Sequence, residues 1–429
     1  MFGFANFLLL ALFATAVFDL IFALARGGGL RGALHGLWNT PHLLFGQQLA
    51  EWRLQLGRIL FAAGLAAYEI SVVFCNSMAR QNWAWVQGVM SPVLEWLAFL
   101  CFGAEIVFGT RYTWRELLAG GALYFIARWV YFNSQNIWWI GIVVAVLAAK
   151  DVPLRRPLQV YFASGCAAMA VVLALHFAGI VAPDLTSERM GALRGTYGYG
   201  HPNTFGGLVF GLVLAYALLR AQKVRWVDCL LVFAVGVFLL VGPASRSAAL
   251  CTLALAVGLV FCRLRAGHSV PRWWPGTCAG MVGLTAAVSY LLPLLVIKVG
   301  PWNNDIGPAW LAKLDSLLTC RISLTWMAYR LLDVKIAGQV FNWPTVDNSF
   351  AFALFQFGPV VAALLGILFA AALWGHAKQG RRVEVCCLFA MLAYAYMEVQ
   401  PFHLTTNPTA LLLCGAVFAQ TSARWQKIE

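Results

Sequence analysis

Apolar stretches separated by short polar breaks run from one end of this chain to the other. They fall near residues 2–25, 58–78, 90–109, 113–131, 135–149, 157–181, 203–220, 226–243, 246–263, 277–297, 349–374, 383–398 and 408–423. A run of about 20 apolar residues spans a hydrocarbon core about 30 Å thick. Backbone amides in that core must satisfy one another, which makes each run a helix. The pattern predicts an all-α polytopic integral membrane protein with about 12–13 transmembrane helices. It reads as a single membrane domain over residues 1–429, with no soluble domain and no internal repeat.

The polar breaks sort by charge. "KDVPLRR" (150–156), "RAQKVR" (220–225), "CRLRAGHSVPR" (262–272), "HAKQGRR" (376–382) and the tail "ARWQKIE" are basic. They alternate with the segments around 182–202, 243–247, 298–348 and 399–407. The positive-inside rule places the basic set in the cytoplasm and the other set outside. Segment 26–57 is also basic, which puts the N-terminus outside unless 31–52 holds a further surface helix. The first apolar stretch lacks a basic leader and reads as a retained helix. Segment 298–348 is the largest external one. Within it, Leu311, Leu314, Leu318 and Ile322 recur at helical spacing, which predicts an amphipathic helix over 309–337 on the outer surface.

Composition adds three points. The chain is 61% hydrophobic and 11% charged, so a soluble fold cannot bury its apolar surface. The net charge of +13 belongs with anionic lipid headgroups, and no nucleic-acid partner is implied. Most of the 11 cysteines lie inside apolar runs without metal-ligand spacing and read as small hydrophobes; no metal is expected.

The external breaks hold the candidate chemistry. In "RGTYGYGHPNTFGG" (194–207), Pro202 fits a first helical turn, whose free N–H groups make an anion site beside Arg194, His201 and Asn203. A plain capped loop accounts for the same residues equally well. In "GPASRSAAL" (242–250), Ser245 opens a helix and Arg246 sits in its first turn, where the helix dipole disfavours a cation unless an anion joins it. Capping of the preceding helix is the alternative. Arg321 stands among apolar residues, either snorkelling to water or offering its fork to a diphosphate. In "NWPTVDNSFAF" (342–352), Asp347, Asn348 or Ser349 caps the next helix, and the same position suits a general base. "MEVQPFHLTTNP" (397–408) adds Glu398, as a second carboxylate or an arginine partner, together with His403 and Asn407. Asp19, Glu69 and Glu95 lie within apolar runs, where acids are usually paired; Arg128 is a candidate partner.

These motifs, in this order, resemble the O-antigen ligase and polymerase superfamily: an Asn-containing turn before a helix, "SR" opening another, an Arg in a large external segment, and "DNS" before a helix containing "FQFG". "GYGHPNTFG" is most similar to Wzy-type polymerases of Gram-positive capsular and exopolysaccharide clusters. The resemblance covers roughly 190–415. It implies a GT-C-like glycosyltransferase in the bacterial plasma membrane, working on its outer face on polyprenyl-diphosphate-linked oligosaccharide. Neither nucleotide sugar, cofactor nor catalytic metal is implied. A flippase and a chain-length regulator are the partners that go with such an enzyme. On this resemblance Arg246 and Arg321, with Arg194, bind the diphosphate. Asp347 stands at the base position, with His201 as the second choice. Asn203, Ser245, Asn348, Glu398 and His403 line the substrate. Related ligases carry His-Asn where this chain has Asp347-Asn348, which favours polymerase over ligase. A ligase and a transporter of lipid-linked sugars are the competing readings.

Overall fold

The computed structural model describes residues 2–25, 29–44, 50–181, 187–189, 192–296 and 307–418. Most of the described residues are helical. In its first half the helices are α1 (Phe2–Ala25), α2 (Leu30–Asn39), α3 (Ala50–Cys75), α4 (Ala79–Asn82), α5 (Ser91–Ala104), α6 (Trp114–Ser134), α7 (Ile137–Ala148) and α8 (Arg155–Phe177). In the second half they are α9 (Pro202–Leu219), α10 (Trp226–Val241), α11 (Arg246–Leu264), α12 (Trp274–Leu291), α13 (Ala309–Leu317), α14 (Arg321–Leu331), α15 (Ser349–Phe352), α16 (Pro359–Lys378), α17 (Arg382–Met397) and α18 (Cys414–Val417). Two short antiparallel strand pairs join loops: β1 (His42–Leu43) with β2 (Arg111–Tyr112), and β3 (Ser187–Arg189) with β4 (Ala192–Arg194).

Among the described residues, seven helices are long and apolar enough to cross a membrane: Glu51–Cys75, Val86–Gly109, Arg155–Phe177, Pro202–Leu219, Arg246–Leu264, Trp274–Leu295 and Pro359–Lys378. Four more apolar helices are shorter, Trp226–Val241 among them. The chain is thus a multi-pass α-helical membrane protein. The larger count expected from hydropathy treats such shorter helices as full spans. α2 supplies the helix in 31–52 on which the reading of N-terminal orientation turned.

The chain divides into two compact units. One comprises Met1–Arg128, Ile140–Val172 and Ala410–Glu429; the other comprises Trp129–Trp139 and Leu173–Thr409. In the first unit α3 packs along α5 and the π-helical turn Glu105–Gly109 that extends it. Gly57 and Gly109 leave room for Glu105, whose Oε1 accepts from Thr110 at 3.0 Å. Asp19 meets His42 at 3.3 Å. Lys150 sits between Glu116 (3.5 Å) and Asp151 (3.1 Å).

The second unit holds every candidate site residue. There α11 is flanked by α10 and α17, and α12 packs on α16. The helix expected over 309–337 is two helices. It breaks at Thr319 and Cys320, whose φ values of 57° and 64° lie in the left-handed region, and α14 ends at Leu331. Its apolar stripe nonetheless points inward: Leu311 and Ile322 pack with Val296, with Leu314 and Leu318 against them.

The helix expected over 349–374 is likewise interrupted. A π-helical turn, Ala353–Phe357, ends at Gly358 (φ 88°), and α16 starts at Pro359. The segment 335–339 crosses this break, with Gln339 N–H donating to Gln356 O at 3.2 Å. Gly338 (φ 75°) and Gly358 permit the crossing, because a Cβ on the first would strike Gln356 O and one on the second Ile336 O. Gly366, inside α16, has open space around it. Gly358→Ala is expected to cost more than the about 1–2 kcal/mol of a left-handed residue, because the backbone oxygen cannot yield. Gly366→Ala should stabilise by up to about 1 kcal/mol. Thermal unfolding of the two variants in detergent checks the contrast.

Candidate functional site

Five chain segments deliver their polar ends to one place in the second unit. They are the starts of α9, α11, α14 and α15, and the end of α17. At the other end of the same helices, Arg382 Nη1 donates to Arg265 O at 2.7 Å, and Arg220 pairs with Asp228 at 3.1 Å. The basic breaks 220–225, 262–272 and 376–382 therefore lie at the ends of these helices opposite the candidate residues.

Glu398 is the centre. It is 5% exposed, and one oxygen, Oε1, accepts from three side chains: Arg321 Nη2 at 2.6 Å, Ser247 Oγ at 2.9 Å and Asn203 Nδ2 at 3.0 Å. Burial pushes its carboxyl above the usual carboxylate range; Arg321 opposes this and Asp347 adds to it. The starts of α11 and α14 present their positive dipole ends here, which favours an anion. Glu398 is therefore the arginine partner of the two roles that the sequence allows.

Arg321 is 7% exposed and committed to the protein interior. Beyond Glu398, Nη1 donates to Leu318 O at 2.9 Å and to Thr319 Oγ1, and Nε donates to Met397 O. Asp347 Oδ2 lies 4.0 Å from Nη2. This is a different use of the guanidinium from the diphosphate fork expected from sequence. Arg321 holds two carboxylates and the loop at 318–319. The break that ends α13 lets it do so, by folding the 318–319 oxygens back onto the first residue of α14.

Asn203 links the turn before α9 to the same centre. Its Oδ1 accepts from Arg194 Nη2 at 3.0 Å, and Ser245 Oγ lies 3.5 Å away. Arg194, also 7% exposed, donates further to Ala244 O at 3.2 Å. It thus ties β4 to the entry of α11. His201 is the N-cap of α9: its Nδ1 accepts from Asn203 N–H at 3.1 Å, and the residue is exposed. The helix cap of the alternative reading is present in this turn. The glycines that follow have a purpose the sequence does not announce. A Cβ at Gly206 would strike Ser245, and one at Gly207 would strike Gln400 Oε1. Gln400 itself donates to Asn203 O at 3.2 Å and accepts from Tyr394 OH at 2.8 Å.

Asn348 is the helix cap for α15, accepting from Phe350 N–H (2.9 Å) and Ala351 N–H (3.1 Å). Its amide donates to Ser289 Oγ and Tyr396 O, both at 3.1 Å, and Ser349 Oγ donates to Glu398 O. These bonds sew 348–349 to 396–398, which fixes Asp347 beside Glu398. Asn348 is a structural residue and not one free to meet substrate. Asp347 keeps 29% of its side chain exposed. Arg246 is exposed on the first turn of α11, next to Ser245 and Ser247, which face inward.

His403 stands apart from this cluster. Its ring lies 3.8 Å from that of Trp138, and desolvation lowers its pKa to about 3. Of the residues sequence reasoning passed over, Ser247 touches the centre directly and Gln400 touches Asn203. Among the described residues, no group of three or more His, Cys, Asp or Glu side chains is arranged to hold a metal ion.

Two outcomes are expected. Glu398→Leu leaves the buried guanidinium with only the 4.0 Å contact to Asp347 and should cost about 3–5 kcal/mol, whereas adding Arg321→Met should recover most of it. Denaturant titration of the single and double variants measures the difference. His403 stays neutral when folded but ionises near its ordinary value of 6.5 when unfolded. Its contribution to stability is intact above pH 6.5 and falls as pH drops toward 3, by about 1.4 kcal/mol per pH unit. His403→Phe should flatten that part of the stability profile. Comparison with family models, with curated proteins and with solved structures finds no match to this chain.

Proposed function

We propose that the chain is a Wzy-type polysaccharide polymerase. It joins polyprenyl-diphosphate-linked oligosaccharide repeat units at the outer face of a bacterial plasma membrane. The observation that carries this reading is the meeting of Arg194, Asn203, Ser245, Ser247, Arg321, Asp347 and Glu398 at one end of the second unit. Those residues come from the four motifs that resemble the superfamily and from the 397–408 turn, and up to 195 positions separate hydrogen-bonded partners.

The exposed residues of the cluster would do the chemistry and the buried ones would hold them. A hydroxyl of the incoming repeat unit attacks the anomeric carbon of the growing chain. Asp347 accepts the hydroxyl proton as the new glycosidic bond forms. The bond from the anomeric carbon to the lipid diphosphate breaks, and the diphosphate leaves with its electron pair. Arg246, exposed beside the start of α11, meets that developing charge together with the N–H groups of the helix. Arg321 keeps Asp347 in place through the guanidinium shared with Glu398.

Purified protein supplied with lipid-linked repeat units should yield a product ladder spaced by one repeat. A single transfer to a distinct acceptor would support a ligase, and movement of substrate at unchanged chain length a transporter. Removing one charge-stabilising donor typically costs about 10²–10³ in rate. Arg246→Ala is expected to lose that much, and Asp347→Asn to abolish the ladder while leaving Tm near wild type. Full-length polymer from either variant would remove that residue from the mechanism.

A further inference from the structure

At the end of α11 and α17 opposite the site, two cysteines 124 positions apart face each other. Cys262 Sγ and Cys386 Sγ are 3.5 Å apart, about van der Waals contact. Nothing intervenes between them. Gly258, one turn before Cys262, brings the α11 backbone close enough that a Cβ there would sit 3.1 Å from Cys386 Sγ. The same helix ends are pinned by Arg382, which donates to Arg265 O at 2.7 Å, so the thiols are held in register. Closing 3.5 Å to a bond of about 2.05 Å asks for side-chain rotation within a contact already made.

We propose that Cys262 and Cys386 are a redox-sensitive pair that closes to a disulfide and staples α11 to α17. Each thiol gives up its proton, one S–S bond forms, and two electrons pass to a two-electron oxidant. With an azo-type oxidant such as diamide, the N=N bond takes up both electrons and both protons and becomes a hydrazine. The basic loops at this end place the pair on the cytoplasmic side by the positive-inside rule, where thiols rest reduced. The disulfide is then the form reached under oxidative challenge, and a dithiol reductant reverses it.

The position of the staple gives it a consequence at a distance. α11 begins with the residues around Ser247, and α17 leads directly to Glu398; these meet through Ser247 Oγ and Glu398 Oε1 at 2.9 Å. A covalent link at the opposite ends ties the same two helices a second time. Local opening of Ser247 from Glu398 then has to strain a pair of helices fixed at both ends.

The test does not depend on any assignment of enzymatic activity. The full chain in membrane vesicles is treated with diamide, its remaining thiols are alkylated with N-ethylmaleimide, and peptides are mapped by mass spectrometry. A Cys262–Cys386 cross-link is expected as the main product, absent from Cys262→Val and lost after dithiothreitol. Hydrogen exchange at 246–250 and 394–400 should slow on oxidation of the wild type and stay unchanged in Cys262→Val. Recovery of both cysteines as alkylated free thiols, while added glutathione is fully oxidised, would overturn the proposal. So would a Cys386–Cys387 or Cys229–Cys386 link in its place, or exchange at the far ends that ignores the cross-link.

Discussion

A buried guanidinium facing a buried carboxylate is the interaction on which the second unit turns. Arg321 and Glu398 are 77 positions apart and meet at 2.6 Å, each almost without exposed surface. In a low-dielectric interior neither charge is tolerable alone, and even the pair repays its desolvation only if its remaining donors and acceptors are satisfied. The neighbourhood is built to that specification. Leu318, Thr319 and Met397 accept three further guanidinium hydrogens, while Ser247 and Asn203 donate to the same carboxylate oxygen, Oε1. The starts of α11 and α14 add the favourable ends of their dipoles. Four helices and two loops are thereby registered by one pair.

Glycine is the other half of that registration. Side chains such as Gln400 and Ser245 reach Asn203 because Gly206 and Gly207 leave the face of α9 bare at its first turns. The same device recurs where Gly338 and Gly358 let a loop cross the break before α16, and where Gly258 lets Cys386 lie on α11. In a membrane-spanning chain the backbone cannot open to accommodate a polar contact, so room has to come from missing side chains. That is why the run "NTFGG" is informative, although its glycines read from sequence only as a permissive turn.

The division between legible and illegible features follows from range. Hydropathy marks the helices because a hydrocarbon solvent imposes one rule on every residue, and α9 and α11 start within a residue of where the pattern puts them. Local chemistry was equally readable: Pro202 in a first turn, Asn348 as a cap, and Leu311 and Ile322 on an inward stripe all depend on neighbours a few positions away. The break at 318–320 was not, since it is a helix-compatible sequence bent by distant demands; that at 353–358 is marked locally by Gly358-Pro359, but the loop that crosses it is not. The first delivers oxygens to Arg321, and the second yields to a crossing loop. Arg321 shows the limit most clearly. Its composition of neighbours suggested a cation seeking an anionic ligand, and it does have an anion, but that anion is Glu398 from the far side of the unit. His403 sits beside a polar turn in sequence and against Trp138 in space.

The assignment of roles changes once the interior charges are accounted for. A residue whose hydrogen bonds are all spent on the protein has none left for a substrate, and its value to chemistry lies in holding still whatever it touches. Arg321 spends Nε and Nη1 on the protein and one Nη2 hydrogen on Glu398, whose Oε1 is in turn shared by three donors. Asp347 is partly exposed at the rim of the pair, and Arg246 is exposed on the first turn of α11, where the helix dipole disfavours a cation. The proposed function brings an anion to that helix start. In the proposed reaction that anion is the departing diphosphate. The fixed pair behind it supplies the preorganisation that keeps the carboxylate of Asp347 from following the charge as it moves.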